Sequence, residues 1–314
     1  MMIFCHWLSE RPLILFYGSS PYYDVGTELP ATRVYRLPVF HSHRTADDIE
    51  REYRERQAYR PQDVFHYLIN ERDVYLELAA RGIPATFTNQ NAMLDERIFS
   101  VQAEEEKVYD AVYNARMLPL KRHALARRVP SLLMIGGVFC HDDSQQYFAQ
   151  LRAEMPHAHF VHAEDNRWIM PKQIAKLLNR ARVGLCLSAK EGAMYVATEY
   201  LLCGLPVVST VSVGGRSEWF DSDYVRVIPD DPEAVHDAVQ ELIALQLSPH
   251  WIRDQTLRRV WEHRRRFIDA VQSIYDREGV ARDFARDWPK KFRHKMGRWR
   301  DRGQVTQPLS DDVS

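Results

Sequence analysis

Two glutamates, Glu191 and Glu199, are separated by seven residues in KEGAMYVATEYLLCGLPVVST (190–210), a run that is otherwise small or apolar. A carboxylate accepts hydrogen bonds from the hydroxyls of a sugar or a ribose, and two on one helix could hold the two ends of a single ligand. The run follows an apolar strand, VGLCLS, which puts the start of the helix at the carboxyl edge of a sheet, where ligands bind in open α/β folds. A helix N-terminus offers N–H groups and positive dipole to a phosphate, here near Gly192, Ala193, Met194 and Tyr195. Gly192 permits close approach of the ligand to the backbone. A carboxylate beside a phosphate is repelled, so Glu191 suits a sugar ring, and Glu199, two turns on, suits the ribose. The alternative is a narrow exposed strip on a packed helix.

The elements that must position these residues are strands alternating with helices. VYDAVYN, SLLMIGG, AHFVHA, VGLCLS, PVVST and VRVI read as short buried strands. Helical patterns lie between them, in DSQQYFAQLRAEM, PKQIAKLLNRA and DPEAVHDAVQELIAL, the last with Asp231 as N-cap and Pro232 at the first helical position. The alternation implies parallel βαβ units and a doubly wound sheet. PLILFYGSS, DVFHYLI and PATFT predict a smaller unit of the same kind, with NERDVYLELAARGI as a helix and the charged DDIEREYRERQAYR as an exposed one. A long helix over TLRRVWEHRRRFIDAVQSIYDRE carries a buried stripe, and the basic stretch after it holds Phe284, Trp288, Phe292 and Trp299. The expected organisation is a small Rossmann-like domain over 1–90, a linker over 91–107 and a nucleotide-sugar-binding Rossmann-like domain over 108–250. Helices over 251–303 pack back on the first domain, and a disordered tail covers 304–314.

The chain has 314 residues, 45% hydrophobic and 27% charged, with a net charge of −1, which argues against a nucleic-acid or polyanion partner. No apolar run approaches the roughly 20 residues of a membrane span. MMIFCHWLSERP lacks a secretory pattern, and Cys5, Cys140, Cys186 and Cys203 have no metal-like spacing, so a soluble, cytoplasmic protein is expected.

Taken together, the two glutamates and the following Gly204-Leu205-Pro206-Val207-Val208 resemble the motif of the retaining glycosyltransferases of GT-B fold, especially glycosyltransferase family 4. Gly214, Gly215 and Glu218 in GGRSEWF match a downstream element of that family. Arg116 and Lys121 in YNARMLPLKRH resemble its basic pair near the donor diphosphate, and NAMLDERIF, with Asn91, resembles its interdomain segment. The resemblance implies two Rossmann-type domains and transfer of a sugar from a UDP- or GDP-type donor to a hydroxyl acceptor. It implies no metal and no cofactor, with the leaving phosphate assisting the incoming hydroxyl on the same face. Arg116 and Lys121 would stabilise the departing diphosphate, where negative charge grows. The chain departs from the pattern in Ala193-Met194 after the first glutamate, in Ala115 before the arginine, in its short amino-terminal domain, and in Thr88 and Asn89 where a histidine usually faces the sugar.

Other residues carry weaker signals. His66 could face the ligand or be a buried, hydrogen-bonded histidine, and Arg216 could line the donor pocket or belong to an ordinary loop. His41, His43, Asp47 and Asp48 read as a solvated loop rather than a metal cluster, and Asp221-Ser222-Asp223 as a surface turn. HAEDNRW (162–168) is the expected base-selecting loop. The basic C-terminus packs back on the chain, or contacts an anionic membrane surface, or meets a partner subunit or second copy. Glycans, glycolipids, lipid-linked and small-molecule acceptors are all admissible. A GT-B epimerase or phosphorylase, or a non-catalytic GT-B binding protein, is the alternative function.

Overall fold

A computed structural model describes residues 2–19, 29, 32–137, 142–161, 169–301 and 305. The chain folds as two compact units, Met1–Asp95 with Arg259–Ser314, and Glu96–Arg258. The stretch 91–107, expected as a linker, is shared between them. Its first residues, Asn91 to Leu94, are buried in the first unit, where Arg264 donates to the carbonyls of Ala92 and Leu94, both at 2.8 Å.

The first unit holds β1 (Met2–Glu10), β2 (Leu13–Ser19), β3 (Tyr35–Phe40), α1 (Ala46–Tyr59), β4 (Val64–Phe65), β5 (Tyr67–Ile69), α2 (Arg72–Ala80) and β6 (Ala85–Phe87). With β13 (Arg298–Asp301) the strands form one sheet in the order β13-β1-β2-β3-β5-β6, and β4 pairs beside β3. β2, β5 and β6 run parallel as expected, with β3 parallel between β2 and β5, whereas β1 is antiparallel to both β2 and β13. Sequence periodicity missed β1, β3 and β13. β1 is buried at every position from Ile3 to Ser9, which erases the alternation that marks a half-exposed strand. The run DVFHYLI is two strands, broken at His66.

Helix α1 starts with a capping box between Thr45 and Asp48. It is less exposed than its charge suggested. Glu52 and Arg56 are buried, Arg56 pairing with Glu52 at 3.0 Å and donating to the Tyr17 hydroxyl at 3.1 Å. Mutual pairing lets a charged face lie against the sheet.

The second unit follows the expected alternation closely. It contains β7 (Tyr109–Asn114), β8 (Leu132–Ile135), α3 (Asp142–Glu154), β9 (His159–Val161), α4 (Pro171–Asn179), β10 (Ala181–Cys186), α5 (Tyr195–Leu202), β11 (Val207–Thr210), β12 (Val225–Ile228) and α6 (Pro232–Ala244). Its six strands are all parallel, in the order β12-β11-β10-β7-β8-β9. The order reverses between β7 and β10, which is the topological switch point of a doubly wound sheet. Tyr113, Leu132, Met134, Phe148, Leu151, Val183, Leu185 and Val239 share one core. Asp231 caps α6 by accepting from Ala234 N–H at 2.9 Å. Gly204, at φ +75°, takes the left-handed conformation that ends α5, with Leu205 N–H returning to Tyr200 O at 3.0 Å.

Helix α7 (Pro249–Arg277) is longer than its periodic stretch, and α8 (Phe284–Lys291) follows. Phe267, Ile268, Val271, Ile274 and Tyr275 form a core with Phe4, Phe16 and Leu37 of the first unit's sheet. Phe284 and Trp288 join it and are fully or nearly buried, and Phe292 packs at its edge. Of the four aromatic residues in the basic C-terminal stretch, Trp299 is 60% exposed and the other three are used in packing. Among the described residues no helix is long and apolar enough to cross a membrane. Cys5, Cys186 and Cys203 are buried, and burial raises their thiols to about 11, 12 and 12. Cys140 and the tail 306–314 lie outside the described residues.

Two buried histidines make the first unit sensitive to acid. Burial, aided by Arg293 and Lys291, lowers His6 to about 3, and burial aided by Arg266 lowers His263 to about 3. His263 Nδ1 accepts from Asn89 N–H at 3.2 Å, which requires the neutral ring. Unfolded histidine titrates near 6.5, so between that value and about 3 the unfolded state binds more protons. Stability is therefore complete above about pH 6.5 and falls as the pH drops through this window, by about 2 kcal/mol per group at pH 5. Thermal melts at pH 7.5 and 5 should show this loss, and His263→Asn should reduce the difference. Equal melting temperatures for the wild type at both pH values would contradict it.

Candidate active site

The switch point brings two loops together at the carboxyl ends of β7 and β10. One contains Asn114 to Arg122 and closes in a 3-10 turn, Pro119–Lys121. The other contains Leu187 to Gly192. Lys121 Nζ contacts Glu191 Oε1 across the gap, with the two side chains only 10% and 15% exposed. Ser188 Oγ donates to the same Oε1 at 2.6 Å and accepts from Arg216 Nη1 at 3.2 Å. Both contacts of the carboxylate fall on Oε1, so Oε2 has no protein partner among the described residues. That oxygen can accept a ligand hydroxyl. The Lys121 ammonium has three donors and spends one on Glu191, which leaves two for anionic oxygens.

The backbone around Glu191 is pinned by the glycine pair. Val213 N–H donates to Ala189 O at 2.9 Å, Glu191 N–H to Val213 O at 3.0 Å, and Gly215 N–H to Gly192 O at 2.7 Å. Gly214 sits at φ +127°, and a Cβ there would lie 1.8 Å from the Glu191 carbonyl oxygen. The downstream element thus acts on the glutamate loop through the main chain.

Lys121 is held by its carbonyl, which accepts from the Tyr113 hydroxyl at 2.6 Å. Burial raises the Tyr113 phenol well above its ordinary value, so it stays a donor. Arg216 is 1% exposed and donates to Thr210 O at 2.6 Å as well as to Ser188; burial lowers its guanidinium. It supports Glu191 through Ser188. Met194 opens α5 from a left-handed conformation, φ 52°, and its sulfur lies 3.6 Å from Arg216 Nη1. Its side chain also packs on the core.

The structure distributes the expected site residues unevenly. Lys121, Glu191, Gly192, Gly214 and Gly215 meet at the switch point. Glu191 precedes α5 instead of occupying its first turn, because the helix begins at Tyr195. Ala193 is buried in the same loop, and Arg116 is exposed on the loop after β7. Glu199 lies in the second turn of α5, 5% exposed.

Four residues belong to the first unit and are occupied there. His66 Nε2 bonds Thr86 Oγ1 at 2.7 Å, and burial lowers its ring to about 4. The Thr88 hydroxyl donates to His263 O at 2.9 Å, and Asn89 Nδ2 to Asn70 O at 3.0 Å. Asn91 N–H donates to Asn89 Oδ1 at 3.0 Å, and Thr88, Asn89 and Asn91 are all buried. Asn89 caps a 3-10 turn, and Thr88 and Asn89 bond His263 of α7.

His41 bonds Gln90 at 2.9 Å, His43 bonds Glu71 at 2.7 Å, and Asp221 accepts from Asp223 N–H at 3.1 Å. Among the described residues no three His, Cys, Asp or Glu side chains converge as metal ligands. Residues 162–168 lie outside the described ones. Ser188 and Tyr113 were missed; their signal is only a polar group at or next to a strand's end.

Gly214→Ala should cost more than Gly279→Ala. Both have positive φ, but a Cβ at Gly279 meets nothing within 4 Å, whereas at Gly214 it strikes backbone. Strain of this kind is worth about 1–3 kcal/mol. Denaturant unfolding of both variants checks the order, and equal losses would contradict it.

Comparison with known proteins identifies a domain within the second unit. Residues 108–244 match the family model described as Glycosyl transferases group 1. No curated protein matches the sequence. Among solved structures, sucrose-phosphate synthase from Thermosynechococcus elongatus aligns with a TM-score of 0.55 and 17% identity, over 78% of this chain and 73% of that one. Anabaena HepE in complex with UDP gives 0.56 and 12%, over 77% and 79%. The pneumococcal O-GlcNAc transferase GtfA, in complex with UDP and GlcNAc, gives 0.51 and 13%, over 77% and 52%. At such identities the likeness is one of fold. Residues 108–244 therefore form a glycosyl transferases group 1 domain, in a chain with the GT-B glycosyltransferase fold.

Proposed function

We propose that the protein transfers a sugar from a nucleoside-diphosphate sugar to a hydroxyl acceptor, with retention of anomeric configuration and without a required metal. The observation that carries this reading is the Lys121–Glu191–Ser188 cluster at the switch point, with Glu191 Oε2 open to a ligand. Lys121 places cationic charge where a diphosphate would lie in a doubly wound sheet, and Arg116 on the same loop adds a second charge. Glu191 holds sugar hydroxyls, and Glu199 takes the ribose. As the glycosidic bond breaks, its electron pair passes to the phosphate oxygen. The acceptor hydroxyl bonds to the anomeric carbon on the same face and gives its proton to that phosphate. UDP sugars are the first donors to test, because the HepE and GtfA structures hold UDP. The acceptor is a hydroxyl of a glycan, a glycolipid or a small molecule.

Thermal unfolding against UDP, GDP and their sugars tests the donor site. A nucleotide sugar at about 100 times its dissociation constant should stabilise the fold by roughly 2.7 kcal/mol, a rise of several degrees. Glu191→Ala should abolish transfer. Lys121→Ala should weaken donor binding and lower kcat by roughly 100-fold or more, as for loss of one charge-stabilising donor. Near-normal turnover in both variants would sink these roles, and an inverted product would sink retention.

A further inference from the structure

We infer that Arg122 is a positioning residue that fixes Lys121 against Glu191, an inference that rests on the donor role proposed for Lys121. Arg122 has φ 55° and ψ 42°, a left-handed conformation that side chains other than glycine rarely keep unless contacts hold them there. Its guanidinium supplies those contacts. Nε donates to Leu187 O at 2.6 Å, Nη2 donates to Thr210 Oγ1 at 2.6 Å, and Nη1 pairs with Asp230. The Thr210 hydroxyl in turn donates to Leu187 O at 3.1 Å.

These partners lie at the carboxyl ends of three neighbouring strands. Leu187 follows β10 and leads to Ser188 and Glu191, Thr210 closes β11, and Asp230 follows β12. Arg122 itself comes from the loop after β7, next to the catalytic candidate Lys121. One side chain thus joins the two loops that flank the switch point, at the residue adjoining the cation on one side and four residues before the carboxylate on the other. The planar fork matters, because three separate nitrogens meet three acceptors, and a lysine ammonium at the same place cannot span them. Tyr113 holds the carbonyl of Lys121 from the other side, so the left-handed residue completes a two-point clamp on the Lys121 main chain.

The test uses Arg122→Gly and Arg122→Lys in the full chain. Glycine adopts the left-handed conformation without strain, so R122G removes the clamp without imposing a backbone penalty. The readout independent of any donor is competitive acetylation of Lys121, followed by mass spectrometry with the exposed Lys172 as internal standard. In the wild type Lys121 is 8% exposed and paired, so it should react slowly. In R122G its labelling should rise several-fold while the melting temperature changes little. R122K should behave like R122G. With a nucleotide sugar that the wild type turns over, kcat should fall about 10- to 100-fold, as for a small misplacement of a reacting group, with the donor KM changing less. Wild-type labelling in R122G, or full restoration by R122K, would overturn the inference. A wild type that turns over no nucleotide sugar refutes the proposed function, while the labelling result still decides the role of Arg122. If R122G lowers the melting temperature sharply, R122K labelling decides.

Discussion

The second unit depends on one constraint. A cation and a carboxylate, on loops leaving the two strands at which the sheet order reverses, are held together with little access to water. A pair this shielded from solvent is costly to separate, since removing one member leaves a poorly hydrated charge behind. The surrounding structure removes that cost in several ways. Ser188 shares the Glu191 oxygen with Lys121, Arg216 supports Ser188 from below, and Tyr113 fixes the Lys121 carbonyl. The Gly214–Gly215 turn then threads the glutamate loop through the main chain, where no side chain could fit.

This arrangement gives each end of the carboxylate a separate task. Oε1 takes both protein contacts found among the described residues and sets the orientation, which leaves Oε2 as an acceptor for a ligand. The ammonium is divided in the same way, with one donor spent on orientation and the others available to an anion. Preorganised charge of this kind stabilises a developing negative charge without reorganising at the moment of reaction. The buried Arg216 and the buried Tyr113 serve it indirectly. They hold polar atoms in a region where an unpaired one would be expensive, which ties the site's geometry to the stability of the fold.

The first unit shows a different use of polar residues. Its buried histidines are neutral, His6 donating from Nδ1 to Met296 O and His263 accepting from Asn89 N–H, and Arg56 and Glu52 neutralise each other against the sheet. Thr88 and Asn89, which stand where a ligand-facing residue was expected, are consumed in securing α7. Aromatic residues of the basic C-terminal stretch are likewise drawn into the core formed by β1 to β3 and α7.

The amino-acid sequence by itself determined the parallel alternation of the second unit, the N-cap at Asp231, the helix stop at Gly204, and the presence of Glu191, Lys121 and the glycine pair in one ordered series. Those features are local: period, capping chemistry and turn residues act over a few positions. Tertiary structure alone decided the rest. The antiparallel β1 and β13 pair residues nearly 300 positions apart, and no local pattern encodes that register. Full burial also concealed β1, because a strand covered on both faces shows no alternation. The same holds at the site. Resemblance assigned Glu191 and Lys121 to one donor site, but that they pair, and that Ser188, Arg216 and Tyr113 hold them, depends on which strand ends become neighbours. Sheet order sets those neighbours, through contacts that no short window of sequence contains.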